Sequence, residues 1–297
     1  MKILYAMAGA MLLLVSCKGK DGGYDATGTF EATETTVFAE QNGSLLRFDV
    51  QEGVELAQGQ EVALIDTTQL YLGLQQLLST RNVYRSQKPD REKQIASTRQ
   101  QLAKALQEEQ RFKELVADGA APSKTLDDAS SQVLVLQKQL DAQISTLNTQ
   151  LSTLDSQMLS VDAQVDVISD QLAKCHVVAP LSGTVLEKYT ERGEFVTVGR
   201  PLFKMADMEN VFLRAYVTSA QLQKVRLGQK VEVFADYGDG GRQAYEGTVG
   251  WISSQSQFTP KTILTDDERA DLVYAVKIAV RNDGYLKIGM YGGVKLD

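Results

Sequence analysis

The sequence has few of the side chains on which metal and nucleophilic chemistry depend. It contains one histidine and two cysteines among 297 residues, so it offers little material for a zinc site or a disulfide framework. Its net charge of -7 disfavours a nucleic-acid binder, which usually carries a basic patch. The motifs of serine hydrolases, zinc proteases, P-loop proteins and dinucleotide-binding proteins are missing. We therefore expect no enzyme activity, no cofactor and no nucleic-acid partner.

Long apolar runs are also lacking. The run Ile3–Val15 is too short to span a hydrocarbon core, which needs about 20 residues. It follows a basic residue, and residues 1–16 are therefore predicted to be a secretory signal peptide. The sequence Leu14-Val15-Ser16-Cys17 resembles the lipobox of bacterial lipoproteins, which predicts acylation of Cys17 and a lipidated tether over residues 17–26. An ordinary signal peptide followed by a chance cysteine is the alternative.

Glycine nearly disappears between residues 67 and 174, which hold two of the 23 glycines, and the two prolines of this stretch are Pro89 and Pro122. This composition favours long helices. Two apolar series repeat there every seven residues, which is typical of a coiled coil. The first series is Leu126, Val133, Leu140, Leu147, Leu154, Val161 and Ile168, and the second is Ile144, Leu151, Met158, Val165 and Leu172. Gln143 belongs to neither series and is expected at the surface.

The stretch 117–123 is predicted to be a tight reversal at the tip of a helical hairpin. Gly119 can end one helix and Ser123 can cap the next one. Pro89 is expected to kink or divide the first arm. The segment 67–174 then forms an antiparallel hairpin with two arms of about 52 residues, each about 78 Å long.

The flanks of this helical segment contain an internal repeat. The pattern Ala39, Gly43, Gly53, Gly59 recurs as Ala179, Gly183, Gly193, Gly199, displaced by 140 residues. Each copy reads as short strands separated by glycine turns, over residues 37–66 and 175–207. Neither copy is long enough to bury its own apolar face, so the two copies are expected to pack together.

Short strands also fill the remainder of the chain. Residues 208–297 carry five strand signals separated by glycine-rich turns, which favours a small β-barrel. Residues 27–36 are expected to supply its first strand. The fold class is therefore an elongated α+β protein, in which a coiled-coil hairpin is inserted in a β-sandwich that is followed by a barrel.

These features together resemble the periplasmic adaptor, or membrane fusion protein, family typified by haemolysin D. The most specific element is the box Val178-Ala179-Pro180-Leu181-Ser182-Gly183-Thr184-Val185 after the helices. The resemblance implies a lipoyl-like sandwich and a ring of copies, a trimer or a hexamer. It also implies a periplasmic, inner-membrane-anchored role between an inner-membrane transporter and a TolC-like outer-membrane channel.

Two details of the resemblance concern these partners. The resemblance to the barrel of adaptors that work with ABC-type exporters covers the segments Phe258–Ile263, Asp267–Arg269 and Val273–Ile278. A proton-driven pump is the alternative partner. Adaptors that dock onto TolC-type channels carry an Arg, a Leu four residues later and a Ser seven residues after that. Arg111 and Leu115 fit this motif, but Pro122 occupies its third position and Ser123 follows one residue late.

Two other functions fit parts of the sequence. A structural coiled-coil lipoprotein without a transport role would need the hairpin but not the repeated half-motifs. A lipoyl or biotinyl carrier would have its modified lysine in the turn between the half-motifs, and the helical insertion replaces that turn.

Overall fold

The structure is a computed structural model that describes residues 23–238, 241–257 and 272–296. The predicted signal peptide and Cys17 lie outside the described residues, as do Phe258–Ile263 and Asp267–Arg269. Within the described ranges, no helix combines the length and the apolar character that crossing a membrane requires.

Three helices form the long hairpin: α1 (Thr68–Gln87), α2 (Arg91–Ala117) and α3 (Ser123–Lys174). The first arm is divided at Pro89, since a proline inside a helix lacks the amide donor that the helix needs. The new helix starts with Asp90, whose carboxylate accepts a hydrogen bond from the Lys93 amide at 3.2 Å. Because that bond favours the ionised carboxylate, it lowers the pKa of Asp90.

The two arms run antiparallel and meet along one apolar seam. Arg81 pairs with Asp162 at 2.7 Å, and Arg91 donates to Asn148 at 3.3 Å, which shows the register of the arms. The predicted seven-residue series faces the other arm. The main buried cluster of the seam joins Leu140 and Leu147 of that series to Leu136 of α3 and to Ile95 and Leu102 of α2.

One expectation about the hairpin surface is wrong. Gln143 is half-buried, and its side-chain Oε1 is fully covered without a hydrogen-bond partner. It lies seven residues from the buried Leu136 and therefore on the same face of α3. This face borders the seam, and neither of the two predicted seven-residue series includes its residues.

The two half-motifs fold into one sandwich of two four-stranded sheets. The first half supplies β2 (Glu34–Phe38), β3 (Gly43–Phe48), β4 (Glu55–Leu56) and β5 (Glu61–Ile65), and the second supplies β6 (His176–Val178), β7 (Gly183–Lys188), β8 (Phe195–Val196) and β9 (Pro201–Ala206). The strand orders are β2-β9-β7-β4 and β6-β5-β3-β8. Each sheet thus contains strands from both halves, and the predicted packing of the two copies is confirmed.

The repeat is also visible in the hydrogen bonds between the halves. The Gly59 amide donates to the Ala179 carbonyl at 2.8 Å, and the Gly199 amide donates to the Ala39 carbonyl at 2.9 Å. These are the same bond with the two halves exchanged, since each residue number differs by 140. The halves are therefore related by a local pseudo-twofold arrangement.

Glycine is required at equivalent positions of the two copies for the same reasons. Gly53 and Gly193 have φ angles of 82° and 91°, which side chains with a Cβ rarely adopt. At Gly183 a Cβ would come within 2.3 Å of the Ala206 carbonyl oxygen. A Cβ at Gly43 would meet Ile65 Cγ2 at 2.8 Å. The turns and close approaches of the sandwich explain the glycine spacing.

The remaining strands are β1 (Ala26–Glu31), β10 (Asn210–Thr218), β11 (Lys230–Asp236), β12 (Arg242–Gln257), β13 (Val273–Arg281) and β14 (Tyr291–Lys295), with the short helix α4 (Ser219–Leu222) after β10. They close into a six-stranded barrel in the order β1-β10-β13-β12-β11-β14. Phe30, Leu213 and Ile278 lie fully buried in its interior. The predicted fold class is confirmed.

The expected single first strand over residues 27–36 is wrong. The chain leaves the barrel after Glu31, and Glu34–Phe38 pairs with β9 in the sandwich. Phe30 is buried in the barrel core, whereas Val37 packs against the sandwich core. One strand-like stretch therefore contributes side chains to both the barrel core and the sandwich core. Its alternating pattern does not show where the chain passes from one core to the other.

Candidate functional site at the hairpin tip

The first arm ends at the tip in a Schellman motif. The Ala120 amide donates to the Leu115 carbonyl at 2.8 Å, and the Gly119 amide donates to the Val116 carbonyl at 3.1 Å. Gly119 has a φ angle of 73°, which allows the reversal. The end of α2 is thus held by its own backbone, and the side chains of this turn remain available for other contacts.

The second arm begins differently from the expectation. Pro122 precedes the first helical residue, and its carbonyl accepts bonds from the Thr125 amide at 3.1 Å and from Thr125 Oγ1 at 2.6 Å. Ser123 is the first residue of α3, and no side-chain hydrogen bond caps this helix. The predicted capping role of Ser123 is wrong, because the residue lies one position too far into the helix.

Arg111 lies on the exposed surface of α2, two turns before the tip. Its guanidinium pairs with Glu108 at 3.3 Å, and its Cζ lies 5.2 Å from the centre of the Phe112 ring. Its side chain is 62% exposed, so a partner can reach it. The ion pair has helical i,i+3 spacing and could have been found in the sequence.

Leu115 lies four residues after Arg111, in the last turn of α2. It is half-buried, like its neighbour Val116. A half-buried leucine at the end of the seam stabilises the last turn and presents only part of its surface to a partner. The structure places Arg111, Leu115 and Ser123 on the last turns around the same reversal.

A groove that the sequence analysis missed lies just below the tip. It measures about 540 Å³ and runs between α2 and α3 on one side of the hairpin. Its apolar floor consists of Ala105, Phe112, Ala129 and Leu136, and Glu108 and Asp128 are among the polar residues at its edge. We call it the tip groove. Alanines in the seam are the available signal, because their small side chains leave space between two helices.

Cys175 and His176, at the base of the hairpin, do not form a common site. Cys175 is fully buried in the sandwich core, and burial raises the pKa of its thiol. His176 is exposed, and its Nδ1 lies 3.2 Å from Glu61 Oε2. The two neighbours therefore point to opposite faces of the strand. Among residues 23–238, 241–257 and 272–296, no cluster of side chains could hold a metal ion.

The barrel, the sandwich and the long hairpin define an elongated protein of the adaptor type. Residues 33–207 match the family model described as "RND MFP, barrel-sandwich hybrid domain". The chain belongs to this family of membrane fusion proteins, and the resemblance found in the sequence is confirmed.

Relatives extend this result. A UPF0194 membrane protein of Acidithiobacillus ferridurans is 26% identical over 284 residues, which cover 89% of this chain and 83% of that protein. A UPF0194 membrane protein of Yersinia pseudotuberculosis is 38% identical over 117 residues, but this match spans 38% of the chain and 34% of that protein. MacA from Actinobacillus actinomycetemcomitans superposes with a TM-score of 0.57 at 20% identity, over 91% of this chain and 76% of that one.

Proposed function

We propose that this protein is the periplasmic adaptor subunit of a tripartite export system. It bridges an inner-membrane transporter, for which we favour the ABC type, and a TolC-like outer-membrane channel. Several copies assemble side by side into a ring, a trimer or a hexamer, and acylated Cys17 anchors each copy to the inner membrane. Its mechanism is assembly of a conduit, and no residue acts as a catalyst.

The presentation of Arg111 at the far end of the hairpin is the observation that carries this proposal. Arm α3 has 52 residues, which gives a length of about 78 Å at 1.5 Å per residue. Arg111 is exposed near the tip on the opposite arm, in α2, and partner carbonyls or carboxylates can accept charge-assisted bonds from it. A rigid arm with an exposed cation at its end suits contact with a distant partner.

Charge reversal at the tip tests the channel contact. Arg111→Asp should abolish export of a known substrate and photocrosslinking to the channel from a probe at the exposed position 118, because it reverses the charge that the partner meets. Lys93→Asp is the matched control, since it makes the same change in the first turn of α2, where helices tolerate acids. Wild-type export by Arg111→Asp would contradict the docking role and favour a structural spacer.

Leu115 and Ser123 complete the proposed motif and are tested in the same assay. Because Leu115 is half-buried, Leu115→Asp also perturbs the seam, and its effect on export needs a parallel measurement of helix content. Ser123 is exposed, so Ser123→Ala reports on docking without a change in packing. Unchanged crosslinking in Ser123→Ala would remove this residue from the motif.

The membrane side is tested separately. With acylated Cys17 the protein should take up a fatty-acid label and remain with the inner membrane, since several acyl chains give stable attachment. Cys17→Ser should lose the label, and equal labelling of the variant would contradict the lipoprotein assignment. Crosslinking in native membranes followed by identification of the bound pump distinguishes an ABC-type transporter from a proton-driven one.

A further inference from the structure

The tip groove has an exposed counterpart on the same hairpin. Leu106 on α2 is 47% exposed and Leu134 on α3 is 60% exposed. We call these two side chains the leucine ridge. One large apolar side chain on each arm thus stays in solvent, where it can contact another protein.

The leucine ridge and the tip groove lie on opposite sides of the hairpin. Each helical residue is rotated by about 100° from the previous one. Leu134 is two residues from both Gln132 and Leu136, which line the groove, so it points about half a turn away from them. Leu106 has the same relation to Lys104 and Glu108. Both leucines therefore face away from the groove.

The ridge and the groove also lie at the same height along the arm. The contact between Arg91 and Asn148 sets the register. Leu106 lies fifteen residues from Arg91 towards the tip. Leu134 lies fourteen residues from Asn148, also towards the tip. Ala105 and Leu136, which lie next to this level, form part of the groove floor.

We infer that the leucine ridge of one copy packs into the tip groove of the next copy, so that hairpins associate side by side. Such a contact is heterologous, because two different surfaces of the same chain meet, and it closes into a ring when the rotation between copies allows. The inference deepens the proposed adaptor function and rests on it, since a ring of copies is part of that proposal.

Charge supports a second copy as the occupant. Lys113 is exposed and lies seven residues from Leu106, on the same face of α2. Asp128 lies at the edge of the tip groove. By the register of the arms, Lys113 and Asp128 lie at nearly the same height on opposite sides of the hairpin. In a ring whose axis runs along the hairpins, Lys113 of one copy meets Asp128 of the next.

Two variants of the full chain, each with one added cysteine, test this contact in membranes. One carries Leu106→Cys on the ridge, and the other carries Gln132→Cys at the groove. Treatment with a short bis-maleimide should give at least tenfold more crosslinked dimer when the two variants are expressed together than when either is expressed alone. The parent chain measures the background, since Cys175 is buried.

Charge reversals then test the specificity of the contact. Lys113→Asp or Asp128→Lys, introduced in both cysteine variants, should reduce the crosslinked fraction at least fivefold, and the double reversal should restore it. Lys93→Asp should leave the fraction unchanged. A merely structural role of Lys113 would not be rescued by the second reversal.

The outcomes separate this inference from the proposed function. Absence of crosslinked dimer in cells that export normally would overturn the ridge-and-groove contact and leave the adaptor function standing. Equal crosslinking within each single-variant population would overturn it as well, because that result requires like surfaces to meet. Specific crosslinking in cells without any export would support the contact and contradict the export role.

Discussion

The sandwich and the hairpin belong to one chain but are stabilised in different ways. The sandwich core contains sixteen buried apolar residues, and each of its sheets contains strands from both half-motifs. The main buried cluster of the hairpin contains five such residues, and its arms touch along a single seam. A two-helix arm leaves most of its surface in solvent, which makes it suited to contacts with other proteins. The sandwich instead holds the two ends of that arm together.

The largest effect is expected in the sandwich core. Phe203 is fully buried, and its ring lies 6.3 Å from that of Phe48. Phe203→Ala should lower the free energy of unfolding by about 3–5 kcal/mol, because it removes a large side chain from packed surroundings. Phe195→Ala is the control, since that ring is 63% exposed in β8. Chemical denaturation measures both, and similar losses in the two variants would contradict the assignment of the core.

A change in the seam should act locally. Leu147 is buried between the arms, and Leu147→Asp should cost about 2–4 kcal/mol because it removes apolar contacts and places a carboxylate in the seam. Far-UV circular dichroism should show a loss of helix, while the strand signal stays. Gln150 is exposed three residues further along α3, and Gln150→Asp should keep its helix. Equal loss of helix in both variants would show that the register is wrong.

A third change should stabilise the hairpin. The covered Oε1 of Gln143 has no partner, and Gln143→Leu removes this unsatisfied acceptor while it extends the apolar face that contains Leu136. We expect a gain of about 1 kcal/mol in the free energy of unfolding of the arm, because a buried unpaired polar group is costly. Gln143→Glu should have the opposite sign. Thermal unfolding followed through the helix signal compares the two, and destabilisation by Gln143→Leu would contradict this account.

The smallest effect is expected at the tip. Ser123→Ala should change stability by less than about 0.5 kcal/mol, as is usual for an exposed side chain without partners. Thr125→Val should cost about 1 kcal/mol, because it removes the bond from Thr125 Oγ1 to the Pro122 carbonyl. Thermal unfolding ranks the two variants. A larger loss in Ser123→Ala would restore the capping role that the sequence suggested.

Much of the architecture could be predicted because it depends on local patterns. The series that contains Leu140 and Leu147 indicates a coiled coil from its spacing alone, and the displaced glycines indicate two copies of one motif. Pro89 predicts a kink or a break in the arm, and only the structure shows that the arm is divided into two helices. The extent of the first barrel strand was mispredicted, because residues 27–36 continue the same strand-like pattern across two different cores.

The candidate site was predicted less completely, because its properties depend on which faces of the two helical arms pack against each other. Arg111 could be singled out from the family resemblance, through the docking motif it matches, but the burial of Leu115 depends on how the last turn packs. The tip groove is lined by Ala105 of one arm and Ala129 of the other, whose small side chains leave space between the helices. The sequence around either alanine does not show that it lines a groove together with the other.

The sequence by itself determined the helices, the reversal at Gly119 and the repeat, since periodicity and glycine spacing act over short stretches of chain. Only the tertiary structure decided where the hydrogen bonds of the tip go, that Gln143 is covered, and that the leucine ridge and the tip groove share one height. These properties depend on the register between two arms. The packing of the apolar seam fixes that register, which contacts such as that of Arg91 with Asn148 mark, and no short stretch of sequence contains it.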